Sequence, residues 1–293
     1  MFEIVPKHKF LIGIDSDGCA FDTMELKHKE CFIPNIIKHY RLQAVSKYAR
    51  EAAEFVNLYS KSRGINRFPA LIETLEWLQK RRAVADRGVT ITLPQGLLDW
   101  LKHQKETKGA LGNDTLKPAV EASGNPDLVQ ALEWSIAVNE TIAAMVEGVP
   151  PFPFVRECLE RLQTEADMLV CSATPNAALQ AEWEEHDIAK YVAAICGQET
   201  GTKEATLRNA SKYAANHCLM IGDAPGDFKA AQANNVLFYP INPDQEEASW
   251  RRLFEEGIGR FLGGTFAGDY QQQLLAEFDR VLPAQPKWPD LAR

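Results

Sequence analysis

A short apolar run near the N-terminus ends in two aspartates, and this segment constrains the fold more than any other. Residues 10–23 read Phe-Leu-Ile-Gly-Ile-Asp-Ser-Asp-Gly-Cys-Ala-Phe-Asp-Thr. The run 10–14 has the length and composition of a buried strand. Because side chains alternate along a strand, Asp15 and Asp17 share one side. Two such carboxylates repel each other unless a cation or a shared proton relieves them, and Mg²⁺ prefers oxygen ligands. An ordinary strand end with an Asp-Gly turn also explains these residues.

Three further segments place polar side chains where an apolar strand ends or a helix begins. They are residues 167–171 followed by Ser172-Ala173-Thr174, residues 217–221 followed by Gly222-Asp223-Ala224-Pro225-Gly226-Asp227, and Gly201-Thr202-Lys203 at a helix start. Ligands of open parallel sheets bind outside the carboxyl ends of the strands. We therefore expect the four segments to converge on one site.

These segments resemble the haloacid dehalogenase superfamily, in its phosphatase branch with a helical cap. The matching residues are Asp15-x-Asp17-Gly18 with Phe21-Asp22-Thr23 for the first motif, Ser172 for the second, Lys203 for the third, and Gly222-Asp223 with Asp227 for the fourth. The resemblance covers about residues 8–24 and 150–240. It departs from the family at Lys203-Glu204, where Lys-Pro is common.

The resemblance implies phosphoryl transfer through a covalent intermediate. Asp15 is the expected nucleophile and forms an aspartyl-phosphate. Asp17 is the expected general acid for the leaving oxygen, and then the base that activates water. Ser172 is expected to hydrogen-bond the phosphoryl group, and Lys203 to offset the charge of Asp15 and the phosphoryl oxygens.

The resemblance also implies a Mg²⁺ cofactor. Its expected ligands are Asp15, the backbone carbonyl of Asp17, and Asp223, with Asp227 either assisting at the metal or orienting Lys203. Asp223 and Asp227 have a simpler explanation as well, since acidic residues suit a helix N-terminus.

The implied architecture is an α/β protein with a Rossmann-like, doubly wound parallel sheet and a helical cap inserted after the first strand. We assign residues 1–22 and 150–243 to the core, 23–149 to the cap, and 244–293 to a C-terminal helical extension that packs on the core. Within the cap, helical spacing of apolar residues covers 26–58, 69–82, 95–104 and 127–146, and 89–93 is a short β-like run. Such a cap is expected to close over the site and select the substrate.

Two arginines in the cap are candidate substrate ligands. Arg63 and Arg67 lie in a break between helical segments that resembles the family's specificity loop. The planar guanidinium suits bidentate phosphate binding. The alternative for both is that they are solvated turn residues. Thr174, two residues after Ser172, is a third candidate.

Two alternatives to a phosphatase stay open. A sugar phosphomutase of the β-phosphoglucomutase type shares these motifs, but the histidine expected on its first cap helix is replaced by Lys27. A binding or regulatory protein on the same fold is the other, although it would not need Asp17. Dehalogenases lack the equivalent of Asp17, so they are disfavoured.

Composition limits the partners. The net charge of −8 gives no electrostatic case for nucleic-acid binding, and no run approaches a membrane span. The six cysteines lack metal-site spacing and are expected to be reduced thiols of a cytoplasmic protein. The expected partner is a small phosphorylated metabolite, and the chain is expected to be a monomer or homodimer.

Overall fold

One parallel sheet of five strands lies within residues 2–291, the part of the chain that this computed structural model describes. The strands are β1 (Phe10–Ile14), β2 (Ala166–Cys171), β3 (Ala194–Cys196), β4 (Cys218–Gly222) and β5 (Leu237–Pro240). Their order is β3-β2-β1-β4-β5, and every neighbouring pair is parallel. The predicted doubly wound α/β fold is therefore confirmed.

Helices account for much of the remaining described chain. They are α1 (Thr23–Leu26), α2 (Ile33–His39), α3 (Ser46–Leu58), α4 (Arg67–Gln79), α5 (Arg82–Ala85), α6 (Gln95–Thr107), α7 (Asn113–Ser123), α8 (Pro126–Met145), α9 (Val155–Leu162), α10 (Asn176–Glu185), α11 (Lys203–Leu207), α12 (Pro225–Ala233), α13 (Glu246–Arg252), α14 (Ile258–Leu262) and α15 (Asp269–Val281). π-helical turns cover Lys27–Phe32 and Leu253–Gly257. The segment 89–93, which has a β-like sequence, is irregular.

The central strand is buried on both faces, which explains its continuous apolar sequence. Ile12 and Ile14 join the apolar cluster that contains α9, whereas Leu11 joins the cluster that contains α12. Gly13 is required on the second face, because a Cβ there would lie 2.9 Å from Leu207 and from Met220 side-chain atoms. Both layers of helices thus hold β1 in the middle of the sheet.

The chain divides into two units. The first contains residues 2–24 and 147–282 and holds the sheet; the second contains residues 25–146 and 283–291 and is helical. The sequence analysis places the boundaries between core and cap at 22/23 and 149/150, whereas the two units of the structure meet at 24/25 and 146/147.

The C-terminal residues 283–291 lie in the helical unit, whereas the sequence assigned them to an extension that packs on the core. The Trp288 ring packs edge-on against Phe55 and Trp77, at centroid distances of 5.6 and 6.0 Å. Asp290 accepts a hydrogen bond of 2.8 Å from Arg81 Nε. The preceding residues 244–282 stay with the sheet.

Among residues 2–291, no helix combines the length and the apolarity needed to cross a membrane. All six cysteines are buried free thiols.

Candidate active site

Three of the proposed site residues directly follow neighbouring strands. Asp15 follows β1, Ser172 follows β2, and Asp223 follows β4. The backbone N–H of Asp15 donates to the carbonyl of Ile221 over 3.0 Å, which ties the end of β1 to the end of β4. Because the strands are parallel, their carboxyl ends bring these three residues to one edge of the sheet.

Asp15, Asp223 and Asp227 form a buried acidic cluster. One carboxylate oxygen of each lies within 4.8 Å of the others. Burial raises the pKa of Asp15 well above its ordinary value, Lys203 opposes that rise, and the two other carboxylates add to it. Three carboxylates held together out of water are costly unless a cation joins them. An all-oxygen donor set of this kind fits a hard divalent cation such as Mg²⁺.

Lys203 lies at the N-terminus of α11, beside this cluster. The Thr202 hydroxyl caps the helix by accepting the N–H of Ala205 over 3.1 Å, so the start of α11 is well defined without a proline at position 204. Lys203 Nζ lies 2.6 Å from Asp15 Oδ2 and donates a short hydrogen bond to Asp227 Oδ1. Burial alone would lower the pKa of Lys203. The two carboxylates together raise it by more than burial lowers it, so the pKa lies above its ordinary value and the ammonium group stays charged.

Asp227 lies in the first turn of α12 and is fixed by three hydrogen bonds. Its Oδ1 accepts from Lys203 Nζ. Its Oδ2 accepts the N–H of Asp223 over 3.1 Å and that of Ala224 over 3.0 Å. A Cβ at position 222 would lie 2.5 Å from Asp227 Oδ2, so this close approach requires Gly222.

Both oxygens of Asp17 accept hydroxyl hydrogen bonds. Thr23 Oγ1 donates to Oδ1 over 2.5 Å, and Thr174 Oγ1 donates to Oδ2 over 2.7 Å. Thr174, which the sequence proposed as a substrate ligand, thus contacts Asp17 in this structure, and its own N–H donates to Ser172 Oγ over 3.2 Å. Thr23 continues the first motif, but the sequence pattern does not predict its hydrogen bond to Asp17.

The two candidate arginines lie in the helical unit. Arg63 is only 2% exposed, and its Nη1 donates to the carbonyl of Leu58 over 2.8 Å. Arg67 Nη1 donates to Ser135 Oγ over 3.0 Å and to Asn139 Oδ1 over 2.7 Å. Burial lowers the pKa of Arg67 to about 10. The two arginines therefore differ in accessibility and in surroundings.

Comparison with protein families gives one match, to the model described as haloacid dehalogenase-like hydrolase, over residues 100–240. This stretch contains the second, third and fourth motifs. The match confirms the predicted resemblance to that family of hydrolases. The first motif, with Asp15 and Asp17, lies outside the matched residues.

Solved structures give distant matches. A haloacid dehalogenase-like family hydrolase of Streptococcus pneumoniae is 12% identical, with 92% of this chain and 98% of that chain covered and a TM-score of 0.44. A predicted phosphoglycolate phosphatase of Haemophilus somnus is 16% identical, with coverage of 80% and 86% and a TM-score of 0.39. A provisionally assigned β-phosphoglucomutase of Bacteroides vulgatus is 13% identical, with coverage of 89% and 93% and a TM-score of 0.43. A comparison with curated proteins gave no match.

Proposed function

We propose that this protein is a Mg²⁺-dependent phosphatase that hydrolyses a small phosphomonoester through a phosphorylated aspartate. The observation that carries the proposal is the placement of Asp15 against both Lys203 and an acidic cluster at the carboxyl edge of the sheet. Phosphoryl transfer depends mainly on positioning and on neutralising charge, and this arrangement supplies both.

In the first half-reaction, a carboxylate oxygen of Asp15 attacks phosphorus and the bond to the leaving oxygen breaks. The electron pair departs with that oxygen, which takes a proton from Asp17. Lys203 opposes the rise in the pKa of Asp15 that burial causes, and it balances charge on the phosphoryl oxygens. The Ser172 hydroxyl is the expected donor to one of those oxygens.

In the second half-reaction, Asp17 takes a proton from water while the water oxygen attacks phosphorus. The bond to Asp15 breaks, and inorganic phosphate leaves. The hydrogen bonds from Thr23 and Thr174 hold the Asp17 carboxylate in one orientation for both transfers.

Asp15, Asp223 and the backbone carbonyl of Asp17 are the proposed ligands of Mg²⁺, with Asp227 in the same acidic cluster. When bound, the ion neutralises charge on the transferring phosphoryl oxygens.

Arg67 is the better of the two candidate substrate ligands. Its described hydrogen-bond partners are uncharged, so its positive charge is not already neutralised by a carboxylate in direct contact. Arg63 is almost completely buried, which favours a structural role. An arginine ligand fits both a sugar phosphate and a phosphorylated carboxylic acid.

The experiment is phosphate release from a panel of phosphorylated metabolites, with Mg²⁺ or with EDTA. We expect Mg²⁺-dependent turnover in the wild type that is abolished in Asp15→Asn. The matched control is Asp187→Asn, which changes an exposed aspartate paired with Lys190 and should keep full activity. Turnover that persists in Asp15→Asn would contradict the proposed nucleophile. Isomerisation of a sugar phosphate without phosphate release would identify a mutase instead.

A further inference from the structure

The loop between β1 and α1 carries both proposed catalytic aspartates and folds back on one carbonyl. The carbonyl of Ser16 accepts the N–H groups of Cys19, Ala20 and Phe21, over 3.2, 2.9 and 3.1 Å. Gly18, with φ of 76°, makes this reversal possible, and its N–H donates to the Phe21 carbonyl over 2.8 Å. These bonds order the loop internally, but they do not attach it to the rest of the sheet unit.

One attachment comes from α10. Trp183 Nε1 donates to Ser16 Oγ over 3.0 Å, and this hydroxyl donates in turn to Glu182 Oε2 over 2.9 Å. Ser16 and Trp183 are fully buried, and the Trp183 ring packs edge-on against Phe21 at 5.8 Å. The residue between Asp15 and Asp17 is therefore held by a specific indole donor.

A second attachment comes from the C-terminal part of the chain. Trp250, on α13, donates its Nε1–H to the carbonyl of Cys19 over 2.7 Å, and both residues are fully buried. Leaving a buried carbonyl without a donor costs free energy, so this hydrogen bond restrains the position of the loop. No motif of the resemblance includes α13, and the proposed mechanism does not use it.

We propose that Trp183 and Trp250 are positioning residues that hold the loop at two points and so help to fix Asp15 relative to Asp17. This inference rests on the proposed phosphatase function. Catalytic groups must be held within about 0.5 Å of their productive geometry. The two indole donors add to the backbone N–H of Phe152, which also donates to a carbonyl of this loop over 2.9 Å. Helix α13, and with it part of the C-terminal extension, thereby belongs to the active-site framework.

The primary test replaces Trp250 with phenylalanine, which keeps an aromatic ring and removes the N–H. We expect kcat to fall about five- to tenfold, with KM changed less than about twofold, because one buried hydrogen bond to a positioning element is lost. The matched control is Trp100→Phe. Trp100 is buried too, but within the described chain its Nε1 has no hydrogen-bond partner, so the ring changes without loss of a bond. The control should keep the kcat and KM of the wild type.

A second variant separates the hydrogen bond from packing. Replacing Trp250 with β-(3-benzothienyl)alanine exchanges the indole N–H for sulfur and keeps the bicyclic shape, so this variant should fold even if the phenylalanine variant does not. It should show the same fall in kcat. Wild-type kcat in this variant would overturn the proposal, because only the donor has been removed.

Hydrogen exchange gives a readout that does not depend on turnover. Backbone amides in a peptide covering residues 15–22 should exchange about five- to tenfold faster in either Trp250 variant and at the wild-type rate in Trp100→Phe. Unchanged exchange would overturn the proposal even if kcat fell. A wild-type protein without any phosphate release would refute the proposed function alone, since exchange would still show whether Trp250 orders the loop.

Discussion

The substitution Asp227→Asn distinguishes the two alternative roles that the sequence left open for this residue, which are assisting at the metal and orienting Lys203. In the structure, Oδ2 accepts two backbone N–H groups and Oδ1 accepts from Lys203. An asparagine has a single acceptor oxygen. If that oxygen keeps the backbone bonds, its NH₂ group faces the ammonium of Lys203, and donor meets donor. If the side chain flips, the two backbone N–H groups lose their acceptor.

The size of the fall in kcat depends on which of these two orientations the amide adopts. A hydrogen bond to a charged group contributes about 1.5–3 kcal/mol. The two backbone bonds are part of the start of α12, so we expect the amide to keep them and Lys203 to lose its partner. If the whole loss appears in the transition state, kcat falls roughly 10- to 150-fold. The Mg²⁺ concentration for half-maximal activity should then change less than about threefold.

The assay is initial-rate phosphate release across a Mg²⁺ titration. Asp223→Asn is the matched comparison, because its carboxylate is a proposed metal ligand, and it should shift the Mg²⁺ requirement upward by about tenfold or more. The reasoning is refuted if Asp227→Asn retains wild-type kcat at saturating Mg²⁺ and shifts the Mg²⁺ requirement as far as Asp223→Asn does. In that case Asp227 acts as a metal ligand, not as the partner that orients Lys203.

Three other substitutions test neighbouring parts of the structure. Gly222→Ala places a Cβ 2.5 Å from Asp227 Oδ2 and should cost about 1–3 kcal/mol in urea unfolding, whereas Gly226→Ala, where a Cβ meets nothing within 4 Å, should be neutral. Thr23→Val removes a hydroxyl that donates to the proposed acid–base carboxylate, and kcat should fall about 2- to 10-fold at constant KM. Arg67→Ala should raise KM much more than it lowers kcat, and an unchanged KM with the natural substrate would exclude it as a substrate ligand.

The parts of the fold that could be predicted are those that depend on local patterns. The run 10–14 becomes β1 at the same residues, because a strand covered on both faces needs an uninterrupted apolar sequence. The placement of residues 283–291 could not be predicted. It depends on Trp288 reaching Phe55 and Trp77, and a lone tryptophan near a chain end carries no sign of a partner more than two hundred residues away.

The candidate site divides in the same way. Asp15, Ser172 and Asp223 stand at strand ends, and strand order alone brings strand ends together. Thr174 also follows a strand, but the contact of its hydroxyl with Asp17 depends on side-chain direction, which the sequence does not show. The burial of Arg63 could not be predicted either, because an arginine in a break between helices has the same local sequence pattern whether it is exposed or buried.

The sequence therefore predicts the reacting side chains better than the side chains that position them. An aspartate at a strand end, or a lysine at the start of a helix, is informative because an unpaired charge is costly to bury there. A buried tryptophan is expected in any core, so its sequence position says nothing about which acceptor its N–H will find. Trp183 and Trp250 reach the same loop from helices that no motif includes. For that reason sequence motifs indicate the reacting groups of such a protein, whereas the hydrogen bonds that hold these groups in place depend on the folded structure.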